Sequence, residues 1–380
     1  MRRAAFAKDG VADLEALRHN AATAQRKLAR GTDAFERNTG TKHPLASSSN
    51  SAKRDTGPEP LTDDQQVLWQ GTISVGTPSA DFTVDFDTGS SDLFLPGVDC
   101  TVNCNGHKLY DPSASSSAQG TNQPFSLAFG DGSTVQGTIF SDSVTAAGLT
   151  ATGQAVGDSS QYSAGFSINE FPPDGLMGMA FQQISVFNAS PFFQTLVSQG
   201  TVTAPEFGVK LAQTGSELFL GGADTSLFTG DLTNVPVTTV GFWEVNMDSV
   251  DVGGNPAVTS VDSIIDTGTT LVVGEQNTVT AIYAAIPGAA DASNTAGPGF
   301  FTFPCNTTNF DVSFVFGGTS FPISLDTFNL GMLAQGSSEC VGGIMGAEGL
   351  PGFIVGDVFL QNVYTVFDVG NTQVGFAALS

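Results

Sequence analysis

Basic residues are almost absent from most of this chain. Residues 55–380 contain only Lys108 and Lys210 against thirty-two Asp and Glu, a net charge of −30, and they contain no Arg. A surface of this sign repels nucleic acid and anionic lipid, so neither is expected as a partner. Acid neutralises many of these carboxylates and relieves their repulsion, so we expect a protein adapted to acid pH.

Histidine is also scarce, because His107 is the only one after residue 54. It stands in a loop beside Cys104 and not on a strand–turn–helix elbow, which argues against a Ser-His-Asp triad. Cys100, Cys104 and His107 lack an evident fourth ligand for zinc, so no metal is expected, and no motif indicates an organic cofactor. No apolar run approaches the ~18 residues of a membrane-spanning helix.

Cysteine is limited to four residues, Cys100, Cys104, Cys305 and Cys340. Four cysteines allow three disulfide pairings, of which Cys100–Cys104 and Cys305–Cys340 are the local ones. Disulfides in an acidic, Gly-rich chain with a dibasic site indicate an oxidising export route.

The strongest positive signal is an acidic turn that occurs twice, in Phe86–Ser90 and in Ile265–Thr269, 179 residues apart. In each copy an apolar strand leads into Asp-Thr-Gly, where the glycine allows a sharp turn. An apolar-apolar-Gly strand follows the acid by 91 residues at Leu176–Gly178 and by 90 residues at Ile354–Gly356. An internal repeat this long indicates two similar domains.

The repeat also suggests why the chain has two such acids. If the domains face each other about a pseudo-two-fold axis, Asp87 and Asp266 meet in the cleft between them. Two carboxyl groups in contact cannot easily both ionise, so the pair holds one proton over a broad acid range. Such a pair can serve as base and acid together.

These motifs resemble those of the pepsin-like aspartic proteases, most of all the secreted fungal members. The resemblance rests on both acidic turns, both apolar-apolar-Gly strands and three further segments: Phe129–Ser133, Phe242–Trp243 and Gly356–Asp368. It implies a mostly β, bilobal pepsin-like aspartic protease fold, in which two pseudo-two-fold-related β lobes enclose a central cleft.

The same resemblance divides the chain into three parts. Residues 1–54 would be a basic propeptide, 55–230 the N-terminal lobe with the first catalytic Asp and the flap, and 231–380 the C-terminal lobe with the second. The two local disulfide pairings also match the family.

The activity implied by the resemblance is that of an aspartic endopeptidase that hydrolyses peptide bonds in proteins at acid pH. Asp87 and Asp266 would be catalytic and would activate a water, without a metal or a covalent intermediate. The implied partners are protein and peptide substrates, pepstatin-like inhibitors and the chain's own propeptide in an inactive precursor. The protein would be a monomer.

The residues after each acid receive supporting roles. Six of them would hold the pair: Thr88, Gly89, Ser90, Thr267, Gly268 and Thr269. The two Thr next to the acids would cross-link the loops through hydroxyl-to-backbone bonds, and the glycines would let backbone N–H groups approach the carboxylates. Ser90 and Thr269 would each bond the outer oxygen of its own Asp.

A predicted hairpin, Phe125–Phe140, matches the flap that closes over bound peptide in the family. Its tip contains Phe129, Gly130 and Asp131. The family normally has Tyr where Phe129 stands and Trp where Phe94 stands, joined by a hydrogen bond. Here both polar groups are absent, so the apolar contact can survive while the polar latch cannot.

Two acids are expected near the pocket for the residue before the scissile bond. Asp85 lies on the same strand face as Asp87, and Asp131 matches a flap position that is acidic in many fungal relatives. We expect this pocket to prefer large apolar residues and to accept Lys.

The first 54 residues carry eleven Lys and Arg against five Asp and Glu, a net charge of +6. A stretch of helix formers, 11–29, and the dibasic pair Lys53-Arg54 indicate a propeptide that is cleaved near Asp55. Its positive charge would lie against the acidic remainder of the chain, residues 55–380, which we call the body. Family zymogens cap the carboxylates with a Lys, for which Lys42 is our first candidate and Lys53 the second. The alternative is a disordered basic tail.

Two other function classes remain open. A pepsin-like binding protein without catalysis usually loses a dyad acid or the flap, and a β-rich wall protein would use the Asp-Thr-Gly copies only as turns. We expect secretion rather than a vacuolar destination, although no signal peptide is visible after Arg2-Arg3. Asn188 and Asn306 begin sequons that would make the protein a glycoprotein.

Overall fold

The computed structural model describes residues 7–43, 56–64, 68–128, 133–350 and 352–380. The predicted cleavage pair Lys53 and Arg54 lies outside the described residues, as do Phe129, Gly130 and Asp131 of the flap tip.

The predicted prosegment, of which residues 7–43 are described, forms a small hairpin and one long helix. Strands β1 (Ala7–Lys8) and β2 (Val11–Ala12) pair antiparallel. Val11 then pairs in parallel with Met332, so the hairpin joins the edge of a sheet in the distal half of the chain. The helix α1 spans Leu14–Thr39.

Both ends of α1 are set by local sequence. The Asp13 side chain caps the first turn by accepting bonds from the backbone N–H groups of Glu15 and Ala16. Gly40 ends the helix in the left-handed region, at φ 72°, and its N–H bonds the Glu36 carbonyl. One face is buried against the body, at Leu17, Ala21, Ala24, Lys27, Gly31, Ala34 and Phe35.

The first half of the body is built mainly of strands. They are β3 (Gly57–Asp64), β4 (Leu68–Val75), β5 (Ala80–Asp87), β6 (Leu93–Pro96), β7 (Gln119–Ala128), β8 (Thr134–Ala146), β9 (Leu149–Tyr162), β10 (Gly175–Gly178), β11 (Glu206–Lys210) and β12 (Ser216–Leu220). Helix α2 (Phe192–Ser198) and short 3₁₀ turns at Pro112–Ala114, Ala164–Phe166 and Gln182–Ile184 complete it.

The second half repeats this design. Its strands are β13 (Phe228–Val240), β14 (Trp243–Val252), β15 (Asn255–Ile265), β16 (Val272–Glu275), β17 (Ala290–Asp291), β18 (Phe301–Pro304), β19 (Val312–Phe316), β20 (Thr319–Ile323), β21 (Asn329–Met332), β22 (Glu339–Gly342), β23 (Ile344–Ala347), β24 (Phe353–Val355), β25 (Val363–Asp368) and β26 (Gln373–Leu379). Its helices are α3 (Gln276–Ala285), α4 (Leu325–Phe328) and α5 (Asp357–Leu360).

The repeated sequence unit is also a repeated structural unit. In the first half β5, which ends in Asp87, runs parallel to β10, and Asp87 is in register with Gly178. In the second half β15 runs parallel to β24, and the N–H of Asp266 bonds the Val355 carbonyl at 3.0 Å. The apolar-apolar-Gly strand therefore lies directly beside the strand that carries the acid in each half.

A six-stranded antiparallel sheet joins the two halves, in the order β3-β12-β11-β25-β26-β13. Its centre is packed with aromatic rings. Phe207 stacks on Phe367 with ring centroids 4.9 Å apart, and Trp243 meets the edge of Phe367 at 5.1 Å. This shared base fixes the distance between the halves and so the distance between the two acidic turns.

Two disulfides, Cys100–Cys104 and Cys305–Cys340, are formed, and these are the local pairings. In the part of the chain that is described, no helix is long and apolar enough to cross a membrane.

Candidate active site

The two acids of the repeat meet at the centre of the molecule. Asp87 closes β5 and Asp266 follows β15 directly, and both side chains are buried. Lys27, in the middle of α1, bridges them. Its Nζ donates to Asp266 Oδ1 at 2.7 Å and also to Asp87 Oδ1. One ammonium group therefore contacts both inner carboxylate oxygens.

Each carboxylate is held by its own turn in the same way. The N–H of Gly89 donates to Asp87 Oδ1 at 2.9 Å, and the Ser90 hydroxyl donates to Asp87 Oδ2 at 2.5 Å. In the second copy a backbone N–H donates to Asp266 Oδ1 at 3.0 Å, and the Thr269 hydroxyl donates to Asp266 Oδ2 at 2.7 Å. These bonds leave the inner oxygens facing the same point.

The Thr residues of the two turns bind the halves together. Thr88 donates its hydroxyl to the Ile265 carbonyl at 2.9 Å, and Thr267 donates its hydroxyl to the Phe86 carbonyl at 2.7 Å. Each hydroxyl also accepts the backbone N–H of the other Thr, at 3.0 and 2.9 Å. Four buried bonds thus fix the relative position of the acids.

Only glycine fits after each Asp-Thr pair. A Cβ on Gly89 would collide with the Asp266 carboxylate, and a Cβ on Gly268 would collide with Asp87 and approach the Lys27 ammonium. The close approach of the two turns therefore depends on glycine at both positions.

Burial raises the pKa of both acids, whereas the nearby Lys27 charge lowers it. Burial raises the pKa of Asp87, but the Lys27 charge and the hydrogen bonds outweigh it and leave that pKa below its ordinary value. Burial and the neighbouring Asp87 charge keep the pKa of Asp266 above its ordinary value, although Lys27 lowers it. Asp87 is therefore the more readily ionised member.

This arrangement of two buried acids in repeated turns agrees with a comparison against protein families. The family model for eukaryotic aspartyl protease matches residues 69–379. The chain belongs to the eukaryotic aspartyl protease family. It has the bilobal, mostly β pepsin-like fold that its sequence predicts, and it is an aspartic-type endopeptidase that acts on proteins or peptides.

Curated relatives agree with this assignment. An aspartic protease of Phaffia rhodozyma is 44% identical over 88% of this chain and 82% of its own length. Cathepsin E of Oryctolagus cuniculus is 36% identical over 84% of this chain and 82% of its own length. Pepsin A of Sus scrofa is 35% identical over 85% of this chain and 84% of its own length.

The prediction that Lys42 caps the acids of this protease was wrong. Lys42 is exposed just beyond the end of α1, whereas Lys27 lies at the centre of its buried face. The second candidate, Lys53, lies outside the described residues. The helical periodicity of the sequence could have identified Lys27. It is the charged member of an otherwise small and apolar helix face that includes Ala24 and Gly31.

Contacts at both ends of α1 anchor it across the cleft. Near its start, Arg18 donates to the Ala296 carbonyl at 2.6 Å, and Asn20 donates to the Thr270 hydroxyl at 3.1 Å. Near its end, the Asn38 amide donates to the Ser185 carbonyl at 2.7 Å. The helix thus starts on the second lobe, passes over both acids and ends on the first lobe.

Asp85 lies two residues before Asp87 on β5 and is buried. Burial raises the pKa of Asp85 well above its ordinary value, and the charges of Asp87 and Asp266 raise it further, against the opposing effect of Lys27. This shift favours the uncharged form of Asp85, which can act as a hydrogen-bonding group.

The hairpin that the sequence predicts to be a flap consists of β7 and β8, in antiparallel register from Gln119–Ser141 to Ala128–Thr134. Arg30 of α1 donates to the carbonyl of Ala128 at 3.2 Å, so α1 contacts this hairpin at the end next to its tip. Phe94 is fully buried, and its ring meets Tyr162 and Phe166 edge-on.

A second buried carboxylate near the site, Asp92, was not singled out from the sequence. It accepts a bond from the Ser185 hydroxyl at 2.6 Å and bonds from the N–H groups of Val186 and Phe187 at 2.8 and 3.1 Å. Asp92 therefore ties the strand after the first acidic turn to the loop on which α1 ends.

In the described ranges, no three His, Cys, Asp or Glu side chains are grouped as a metal ion would require.

Proposed function

We propose that this protease hydrolyses proteins at acid pH through a water molecule held by Asp87 and Asp266, and that the chain is its latent precursor. The observation that carries the proposal is the single Lys27 ammonium shared by both buried carboxylates. A group that bonds both inner oxygens marks the point at which a water would bond both of them after Lys27 leaves.

We assign the two roles from the pKa directions that the acids have while Lys27 is bound. Asp87, the more readily ionised acid, accepts a proton from the water as its oxygen attacks the peptide carbonyl carbon. Asp266, with the higher pKa, donates its proton to the carbonyl oxygen. The tetrahedral intermediate then collapses as Asp87 returns a proton to the leaving nitrogen, and no covalent bond to the enzyme forms.

Latency follows from the position and the conformation of α1. Helix α1 occupies the cleft, and its peptide groups are hydrogen-bonded within the helix. Proteases of this mechanism need an extended substrate segment, whose peptide groups can pair with strands of the cleft. The proposed division is a propeptide over 1–54, a first lobe over 55–230 and a second lobe over 231–380. Cleavage would follow Lys53-Arg54.

Acid would release the propeptide. With Lys27 docked, the pKa of Asp87 lies below its ordinary value because the Lys27 charge and the hydrogen bonds outweigh burial, so docking favours the ionised form of Asp87. A group whose pKa is depressed on docking stabilises the docked state above its free pKa and loses that contribution as the pH falls through the depressed value. The expected result is a precursor that is stable near neutral pH and opens in acid.

The proposed substrate preference is for large apolar residues beside the scissile bond, with Lys accepted before it. Asp131 would supply the charge for Lys, since burial raises the pKa of Asp85 well above its ordinary value and so favours its uncharged form. We further propose a monomeric, secreted glycoprotein that binds pepstatin-like inhibitors. The acidic body, the two disulfides and the sequons at Asn188 and Asn306 support export.

The test is hydrolysis of one unfolded protein from pH 2 to pH 7 by the intact chain, before and after acid treatment. We expect no hydrolysis near neutral pH before treatment, strong hydrolysis at acid pH afterwards, and complete inhibition by a pepstatin-type peptide. Absence of hydrolysis after verified removal of residues 1–54 would refute the proposal and favour a peptide-binding protein of the same fold.

A further inference from the structure

A cavity of about 440 Å³ lies between α1 and the second lobe. On the body side its floor is apolar and consists of Ile264, Leu350 and Phe353. Ile264 stands two residues before Asp266, on the strand that leads into the second acidic turn. When the prosegment leaves, this cavity becomes part of the cleft next to the bond that is cut.

Three carboxylates surround that apolar floor: Glu244, Asp262 and Glu348. Glu244 on β14 pairs with Ile264 on β15, which places Asp262 diagonally across the strand pair. The pKa of Glu244 is raised, first by burial and then by repulsion from Asp262. In the described part of the chain no Lys or Arg forms an ion pair with any of the three, so their charges are not compensated from the body.

The prosegment itself places a basic group at this position. The imidazole of His43 lies with its Nε2 atom 3.9 Å from Glu244 Oε2 and packs edge-on against Phe35 at 4.6 Å and Phe242 at 5.8 Å. That Nε2 atom is buried and has no hydrogen-bond partner in the described chain. The position therefore accepts a ring with a basic nitrogen, but His43 neither fills the cavity nor neutralises its acids.

We propose that this acid-lined pocket, formed by Glu244, Asp262, Glu348 and their apolar floor, binds a Lys or Arg side chain of the substrate in the matured enzyme. The inference rests on the proposed function and adds a basic residue to the substrate class. The methylene stem would cover the floor while the charged end reaches the carboxylates. Relief of the repulsion between Glu244 and Asp262 would add to the attraction.

The acid-lined pocket differs from the Lys-accepting pocket expected near Asp85. Asp85 lies on β5 of the first lobe, whereas the residues of the acid-lined pocket lie on β14, on β15 and at Glu348, Leu350 and Phe353 of the second lobe. Variants of one pocket therefore leave the other unchanged, and the two preferences appear at different substrate positions.

The experiment uses enzyme matured from the full chain and a set of peptides with Lys or the uncharged norleucine at each position around one cleavage site. The ratio of kcat/KM for Lys over norleucine is measured at pH 5.5, about one unit above ordinary carboxyl pKa values. A single partly exposed ion pair between substrate and enzyme is expected to raise this ratio a few-fold. We expect a Lys preference of about tenfold at one position.

The double variant Glu244→Gln/Glu348→Gln should reduce that ratio to about two, because kcat/KM falls more for the Lys peptide than for the norleucine peptide. Asp262→Asn, an exposed substitution that does not risk the fold, should lower the ratio about threefold. The control Asp231→Asn removes an exposed carboxylate on β13 outside the cavity and should change nothing.

Two failures have different meanings. A wild-type enzyme that cleaves the norleucine peptides but shows no Lys preference sensitive to Glu244, Asp262 or Glu348 overturns the acid-lined pocket and leaves the proposed function intact. A wild-type enzyme that cleaves no peptide after verified maturation overturns the proposed function, and the pocket assignment is rejected with it.

Discussion

On the proposed latency mechanism, replacement of Lys27 by Gln should give a precursor that opens near neutral pH. The ammonium is buried between two buried carboxylates, and removal of one partner from such a cluster costs about 3–5 kcal/mol. The two acids can share a proton once Lys27 is gone, so we use the lower end of this range, about 3 kcal/mol, as the loss of docking free energy. This loss corresponds to roughly a hundredfold change in the docking equilibrium.

The same figure predicts a shift in pH. If one carboxyl proton is coupled to release, about 3 kcal/mol corresponds to roughly two pH units. Lys27 lowers the pKa of both acids, so the wild-type precursor opens as the pH falls, and the variant should reach half-opening about two units higher.

The assay measures hydrolysis of a small quenched peptide by a precursor whose Lys53 and Arg54 are both replaced by Gln, so that opening is measured without cleavage at the dibasic pair. Lys42→Gln is the matched control, because Lys42 is an exposed prosegment lysine at the end of the same region. An unchanged half-opening pH in the Lys27→Gln precursor, or an equal shift in the Lys42→Gln precursor, would refute the reasoning.

Two further substitutions probe the surroundings of the acids. Ser90→Ala removes the hydroxyl that lowers the pKa of Asp87, so the acid limb of the kcat/KM profile should move up by about one pH unit, while Ser91→Ala, which loses only a bond to a backbone carbonyl, should leave the limb in place. Gly31→Val would drive a side chain into Phe242 and lift α1, so its precursor should open faster than wild type while the melting temperature of the matured enzyme, which lacks residue 31, stays equal.

The acidic turns were predictable because their geometry is local and repeated. Two Asp-Thr-Gly copies with matched downstream strands require two similar halves, and the observed parallel pairs β5–β10 and β15–β24 follow from that spacing. The bonding of each turn to its own carboxylate needs only the next three residues.

Features that depend on contacts between distant segments were not predictable in this way. Which Lys meets the acids depends on where α1 crosses the cleft, and that is fixed by remote contacts such as Arg18 with Ala296 and Asn38 with Ser185. The acid-lined pocket likewise needs the register of β14 on β15 to bring Glu244 near Asp262. Neither can be read from local periodicity.

The central claim is that Asp87 and Asp266 act as one pair, and cleavage by matured single variants tests it most directly. Hydrolysis of one unfolded protein at pH 4 should fall by at least about 10³-fold in both Asp87→Asn and Asp266→Asn, since each removes one half of a unit that must accept and donate protons. Equal losses in two variants that retain the wild-type melting temperature would support the account. Retention of a tenth or more of wild-type activity by either variant would contradict it.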